Sequence, residues 1–208
     1  MMSLRTNREL RTVAAFDFDG TLTTKDSLLE FLIFTQGTTK TYFGLLVLSP
    51  FILLMFLHVI DNNRCKEILL SYFFKGMEYE RFRELGQQFA HYFLEEAKGL
   101  SPSTVAALRQ HLDEGHKVYI ISASVDEWVR PIAQSLGVTD VLCTHLAVGV
   151  DGMLTGKYDG NNCHGQEKVN RLLAAEPQRD TYYLYAYGDS SGDHQLFALA
   201  DEYQKIEH

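Results

Sequence analysis

Apolar and polar positions follow two rhythms along this chain of 208 residues. Residues 13–18 are a short apolar, β-prone run closed by polar turn residues. That pattern predicts a buried strand stopping at Gly20, with Asp17 and Asp19 at its C-terminal end. From Ser27 to about Gly99 the pattern is helical: Phe82, Leu85, Phe89 and Phe93 recur at three- and four-residue steps, with Glu and Arg between them. A second alternation follows. Ser101-Pro102 reads as the N-cap and first-turn proline of a helix that stops at Gly115. Residues 117–122 read as a strand. Ser124 and Glu127 have the spacing of a capping box, opening a helix that Pro131 bends and Gly137 ends. Residues 145–159 alternate around Asp151-Gly152, a hairpin turn signal. Residues 166–175 read as a helix and 181–187 as a strand. The acidic turn 188–193 then leads into a helix reaching about Ala200.

Strands alternating with helices imply an α/β fold with a Rossmann-like three-layer core around a mostly parallel sheet. Residues 1–26 and 100–208 would form that core, and residues 27–99 an inserted all-helical cap, with a small β-hairpin beside them. Ligands of such sheets bind outside the carboxyl ends of the strands. Within the cap, residues 41–60 carry no formal charge over twenty positions, enough by length to span a bilayer. A single crossing would put Asp17 and Ser122 on opposite sides of it. Ser49-Pro50 instead splits the stretch into a helical hairpin of two helices too short to span. They either form the cap core or turn an apolar face to a membrane surface, where Lys40, Arg64 and Lys66 could meet head groups.

Charge narrows the partners. A net charge of −8 supplies no bulk basic face, so nucleic acid is not expected as a ligand. Cys65, Cys143 and Cys163 lack C-x-x-C spacing and read as free buried thiols of a reducing compartment. Arg5, Arg8 and Arg11 precede an apolar run interrupted by Asp17 and Asp19, which does not make a signal peptide and leaves the cytoplasm as the expected location.

Four short motifs carry chemistry. In Asp17-Phe18-Asp19-Gly20-Thr21, two acids one residue apart leave a strand end, and Gly20 permits the chain to turn there. Phosphate monoesters hydrolyse so slowly that a division of labour is needed: one carboxylate attacks, and a second protonates the leaving oxygen and then deprotonates water. Ser122-Ala123 sits where a strand ends and a helix begins, a place whose backbone N–H groups suit phosphate. Lys168 offers an ammonium for phosphate oxygens and for Asp17. The turn 188–193 returns Asp189 and Asp193 to the same sheet edge, so that with Asp17 a hard-oxygen site suited to Mg²⁺ arises.

This order of acid pair, hydroxyl, lysine and acid pair, spread over residues 16–193, resembles the haloacid dehalogenase superfamily of phosphatases. The helical insert directly after the first motif looks like its subfamily IB, the phosphoserine-phosphatase-like branch. The wording around Asn162-Cys163-His164-Gly165 and Asp26-Ser27-Leu28 is closest to phosphatidylglycerophosphatase C-like members. The resemblance implies a Mg²⁺-dependent phosphatase acting through an aspartyl-phosphate. Asp17 would be the nucleophile and Asp19 the acid/base. Phe18, Gly20, Thr21, Ser122, Ala123 and Lys168 would bind phosphate. Asp17, Asp19 (through its backbone carbonyl) and Asp189 would hold the metal, and Asp193 would brace the site. Phosphoserine phosphatases carry Asn where this chain has Gly192, so a side-chain contact to substrate is missing here. Asp26 is either a reader of a substrate amino group or the N-cap of the next helix. The substrate is a phosphorylated small molecule or lipid. Phosphotransfer to an acceptor other than water shares every motif, and a non-catalytic binding member is the remaining alternative. His164 and His194 are expected to serve capping, packing or solvation, since the mechanism needs no imidazole.

Overall fold

The computed structural model describes residues 10–207, so Arg5 and Arg8 lie outside the described residues. The strands are β1 (Arg11–Phe16), β2 (Lys117–Val125), β3 (Asp140–Thr144), β4 (Leu146–Val148), β5 (Leu154–Tyr158), β6 (Tyr182–Gly188) and β7 (Glu202–Lys205). Five of them form one sheet in the order β3-β2-β1-β6-β7, and β4 and β5 pair separately. Every pairing in the main sheet is parallel, and β4–β5 is an antiparallel hairpin. β1 is the central strand, which explains its unbroken apolar run: Val13 through Phe16 are all fully buried. The two-residue period of the strand feeds two layers. Ala14 and Phe16 pack into one core, whereas Val13 and Ala15 pack with Tyr182, Leu184 and Leu196 on the other face.

Between β1 and β2 lie α1 (Ser27–Gln36), α2 (Thr38–Val47), α3 (Ser49–Phe56), α4 (Asn62–Phe74) and α5 (Tyr79–Glu95). They are followed by α6 (Pro102–Asp113), α7 (Asp126–Ser135), α8 (Gln166–Ala175) and α9 (His194–Leu199). An aromatic cluster joins the insert to the sheet. Phe31 stacks on Trp128 of α7 at 4.5 Å between centroids, and Phe74, Phe82 and Phe89 close around it. Main-chain hydrogen bonds hold the insert on two sides. At its root Ser101 N donates to Leu22 O and Thr24 N to Gly99 O, each at 2.8 Å. On the far side Gly76 N donates to Leu154 O and Leu154 N to Met77 O, both at 2.8 Å, and Tyr79 N to Gly152 O at 2.9 Å.

Two expectations are corrected. No capping box opens α7: its N-cap is Val125, with no side-chain cap, because the Ser124 hydroxyl is committed to Asp19. α2 and α3 do not fold back as a hairpin but bend by 59°. Pro50 sits in the first turn of α3, where a missing N–H breaks no helical bond, so the chain turns without reversing. Of the two placements left open for 41–60, α3 buries none of its residues and Leu46 (68 %), Phe56 (70 %) and Leu57 (62 %) stand exposed, whereas Thr41, Gly44 and Leu48 are buried. β3 and β7 were not anticipated; β7 is an exposed polar edge with no apolar pattern to announce it.

Candidate active site

β1 ends one residue before Asp17, whose N–H donates to Tyr187 O of β6 at 2.9 Å and keeps the chain in line with the sheet edge. Beyond it Gly20 adopts φ +74°, a left-handed conformation that glycine takes without strain, and the turn closes when Thr23 N donates to Phe18 O at 3.0 Å. β2, β6 and the loop before α8 deliver the other motifs to the same edge.

Lys168 is the electrostatic centre. Its ammonium, almost wholly buried, lies 2.5 Å from an oxygen of Asp17 and 2.5 Å from an oxygen of Asp193. Burial disfavours this ammonium, but the two carboxylates outweigh it and hold its pKa above the ordinary lysine value. Asp193 is fully engaged: its second oxygen accepts from Ser190 Oγ at 3.0 Å, Ser190 N at 3.1 Å and Asp189 N at 3.3 Å. Asp17 is raised above the usual carboxylate range by burial, and by the Asp193 and Asp19 charges, against the pull of Lys168.

Asp19 is held by two serines. One oxygen accepts from Ser27 N at 2.7 Å and the other from the Ser124 hydroxyl. Ser27 Oγ in turn accepts from Trp128 Nε1 at 3.0 Å, which ties the acid's support to the aromatic cluster. Burial and then the Asp26 charge raise the Asp19 pKa, while the serine hydrogen bonds oppose them. A raised pKa suits a group that must carry a proton to a leaving oxygen. Ser122 Oγ accepts from Ser124 N at 3.0 Å, so the hydroxyl keeps its own proton to donate.

A cavity of about 250 Å³ opens over these groups, lined by Asp17, Asp19, Ser122, Ala123, Lys168 and Asp189. Of the expected residues, Gly20 and Asp26 line a neighbouring cavity of about 270 Å³ that shares Asp19 and Asp189. Asp26 is the N-cap of α1, accepting from Leu29 N at 2.8 Å. The Phe18 side chain is in the core, and Thr21 is fully buried with a hydroxyl that has no hydrogen-bond partner among the described residues; neither lines the cavities.

The main cavity also holds residues the sequence did not single out for the site: Asn62 and Lys66 from α4, Ser190 and Ser191 from the acidic turn, and His164. Lys66 carried one signal, its place beside the apolar stretch. The His164 ring is half-buried, and burial, then the Lys168 and Lys66 charges, lower its pKa. It touches the face of Gly192. His194, by contrast, starts α9 and does not line the cavity.

The donor chemistry fits a hard cation. Asp17, Asp189 and Asp193 bring one carboxylate oxygen each within 4.8 Å of one another. With Asp193 spoken for by Lys168 and the turn, Asp17 and Asp189 are the carboxylates suited to Mg²⁺, which takes few protein ligands and retains waters.

A model of the haloacid dehalogenase-like hydrolases matches residues 14–198. Protein CicA of Caulobacter vibrioides is 38 % identical over 192 residues, covering 91 % of this chain and 83 % of CicA. A probable phosphatase of Mycobacterium tuberculosis is 30 % identical over 189 residues, covering 88 % of this chain and 64 % of that protein. Among solved structures, a protein of unknown function from Bordetella pertussis superposes with a TM-score of 0.79 at 21 % identity, covering 93 % of this chain and 89 % of that one.

Proposed function

We propose, from the premise that this chain belongs to the haloacid dehalogenase-like hydrolases, that it is a Mg²⁺-dependent phosphomonoester hydrolase working through an aspartyl-phosphate. One observation carries the reading: Lys168 clamps Asp17 and Asp193 at 2.5 Å each, while Asp19, two residues on, is held separately by Ser27 and Ser124. Two carboxylates in different environments are the requirement for a nucleophile and an acid/base.

An oxygen of Asp17 attacks phosphorus while Asp19 gives its proton to the departing ester oxygen, leaving an alcohol and phosphorylated Asp17. Asp19, now a base, takes a proton from water; the water oxygen bonds to phosphorus and the Asp17–phosphorus bond breaks, releasing phosphate. Lys168, the Ser122 hydroxyl and the Ala123 backbone N–H bear on the phosphoryl oxygens as charge moves onto them. Asp17, Asp189 and the Asp19 backbone carbonyl would hold Mg²⁺, which would supply the charge neutralisation that lets an anion approach an anionic ester. Replacing Asp17 with Asn should lower turnover of p-nitrophenyl phosphate by ~10³-fold or more. An unchanged rate sinks the mechanism.

The exposed apolar face of α2 and α3 favours a lipid phosphate over a small soluble ester. No described helix is long and apolar enough to cross a membrane; α2 and α3 together pass that test only as a pair bent by 59°. The face instead suits contact with the cytoplasmic surface of a bilayer, and Lys66 and Asn62 on the adjoining α4 reach the reaction cavity. A rate screen across phosphatidylglycerophosphate, phosphoserine and sugar phosphates tests it: preference for phosphoserine or a sugar phosphate overturns the lipid reading and leaves the reaction intact.

A further inference from the structure

His164 stands in the space that a side chain at position 192 would occupy. A Cβ built on Gly192 falls 2.5 Å from His164 Nε2 and 2.8 Å from Cδ2, too close for any residue but glycine unless the ring moves. The backbones on the two sides are joined, since Gly165 N donates to Gly192 O at 3.1 Å. Gly165 has φ +61°, which turns the loop sharply enough to bring position 164 back over the acidic turn. So placed, the imidazole lines the cavity that holds Asp17, Ser122 and Lys168. It makes no hydrogen bond to another described residue. The half-buried ring keeps nitrogens that solvent reaches and that no described residue uses, so a ligand in the cavity can hydrogen-bond them.

We propose that His164 is a substrate-contacting residue, its ring nitrogen hydrogen-bonding an oxygen of the phosphoryl group that Lys168 and Ser122 also face. This deepens the phosphatase reading and rests on it. Burial, then the Lys168 and Lys66 charges, disfavour the charged form of the ring, so the contact adds direction more than charge. Gly192 is then a positioning residue, acting only through His164.

The test is a double-mutant cycle on His164→Ala and Gly192→Ala. It is read by the affinity of inorganic phosphate in the presence of Mg²⁺ and by KM and kcat for p-nitrophenyl phosphate. Each single variant should weaken phosphate about 10-fold and raise KM in step, the loss of one hydrogen bond to a charged group. The double variant should be no worse than either single one, because both remove the same contact. His164→Gln, which keeps a donor and an acceptor, should recover most of the affinity. Additive losses, or a folded His164→Ala protein that binds phosphate as the parent does, overturn the proposal. Phosphate affinity is read without turnover, so a parent protein that binds phosphate through His164 yet hydrolyses no ester would overturn the phosphatase reading alone.

Discussion

Ser124 could have capped a helix and instead holds an acid. Its hydroxyl reaches Asp19, 105 residues earlier in the chain, and its N–H reaches Ser122. Replacing Ser124 with Ala should therefore lower kcat by roughly 10-fold with KM little changed, because the proposed acid/base loses a hydrogen bond, and should cost some stability as well, because the buried Ser27 hydroxyl loses its acceptor. Lys168→Met is the harsher change. It strips two buried carboxylates of their common partner, and loss of about 3 kcal/mol in urea unfolding is expected, together with loss of turnover. Glu127 makes the opposite case. One of its oxygens is buried without a partner, and burial raises its pKa. Between the unfolded and the folded value, the folded protein holds a proton there that the unfolded chain has released. Its contribution to stability is thus present below the unfolded value and declines as pH rises through the folded one. Glu127→Gln should flatten that decline in melting temperature against pH; parallel curves for the two proteins would refute it. The acids were legible in the sequence because a strand end and a turn fix them locally. The holder of Asp19 was not, since its pairing with Ser124 is made only when distant segments meet, and the same is true of the approach of His164 to Gly192.

At the scale of elements, the contact of α5 with α7 sets how the helical insert sits on the sheet. Pro131 runs inside α7 and has no N–H to give to the Glu127 carbonyl, and Gly86 of α5 approaches that same carbonyl. A Cβ on Gly86 would lie 2.2 Å from the carbonyl oxygen. Gly86→Ala should accordingly destabilise the protein by about 2 kcal/mol or more in spite of alanine's better helix propensity, as measured by urea unfolding. Helices α5 and α8 were readable because their apolar stripes keep a strict helical period, and β1 because a central strand is apolar throughout. The bend between α2 and α3 was read as a reversal because proline marks where a helix stops, not the direction in which the next one leaves. β7 had no pattern to read: its four residues are all exposed.

For the whole molecule, the proposed membrane contact has a definite character, that of an apolar face on an acidic chain. With a net charge of −8, attraction to anionic lipid cannot be the main force, so partition onto vesicles should persist in high salt and fall when Leu46 and Phe56 are both replaced by Glu. Unchanged partition of that variant would remove the membrane contact. Chelation should stop turnover, with Mg²⁺ restoring it and Ca²⁺ failing to, since calcium takes more ligands in a looser shell; full activity in chelator would refute the metal site. The two-sided attachment of the helical insert bears on timing. A flap rooted at one edge can swing on its root, but this insert is also laced to the β4–β5 hairpin through Gly76, Leu154 and Tyr79. Amide hydrogens at those three positions should resist exchange with deuterated solvent as a group and lose that resistance together. The attachments predict a chamber whose roof stays on, with the pace of the proposed cycle set by diffusion through the opening and by chemistry rather than by the lifting of a cover.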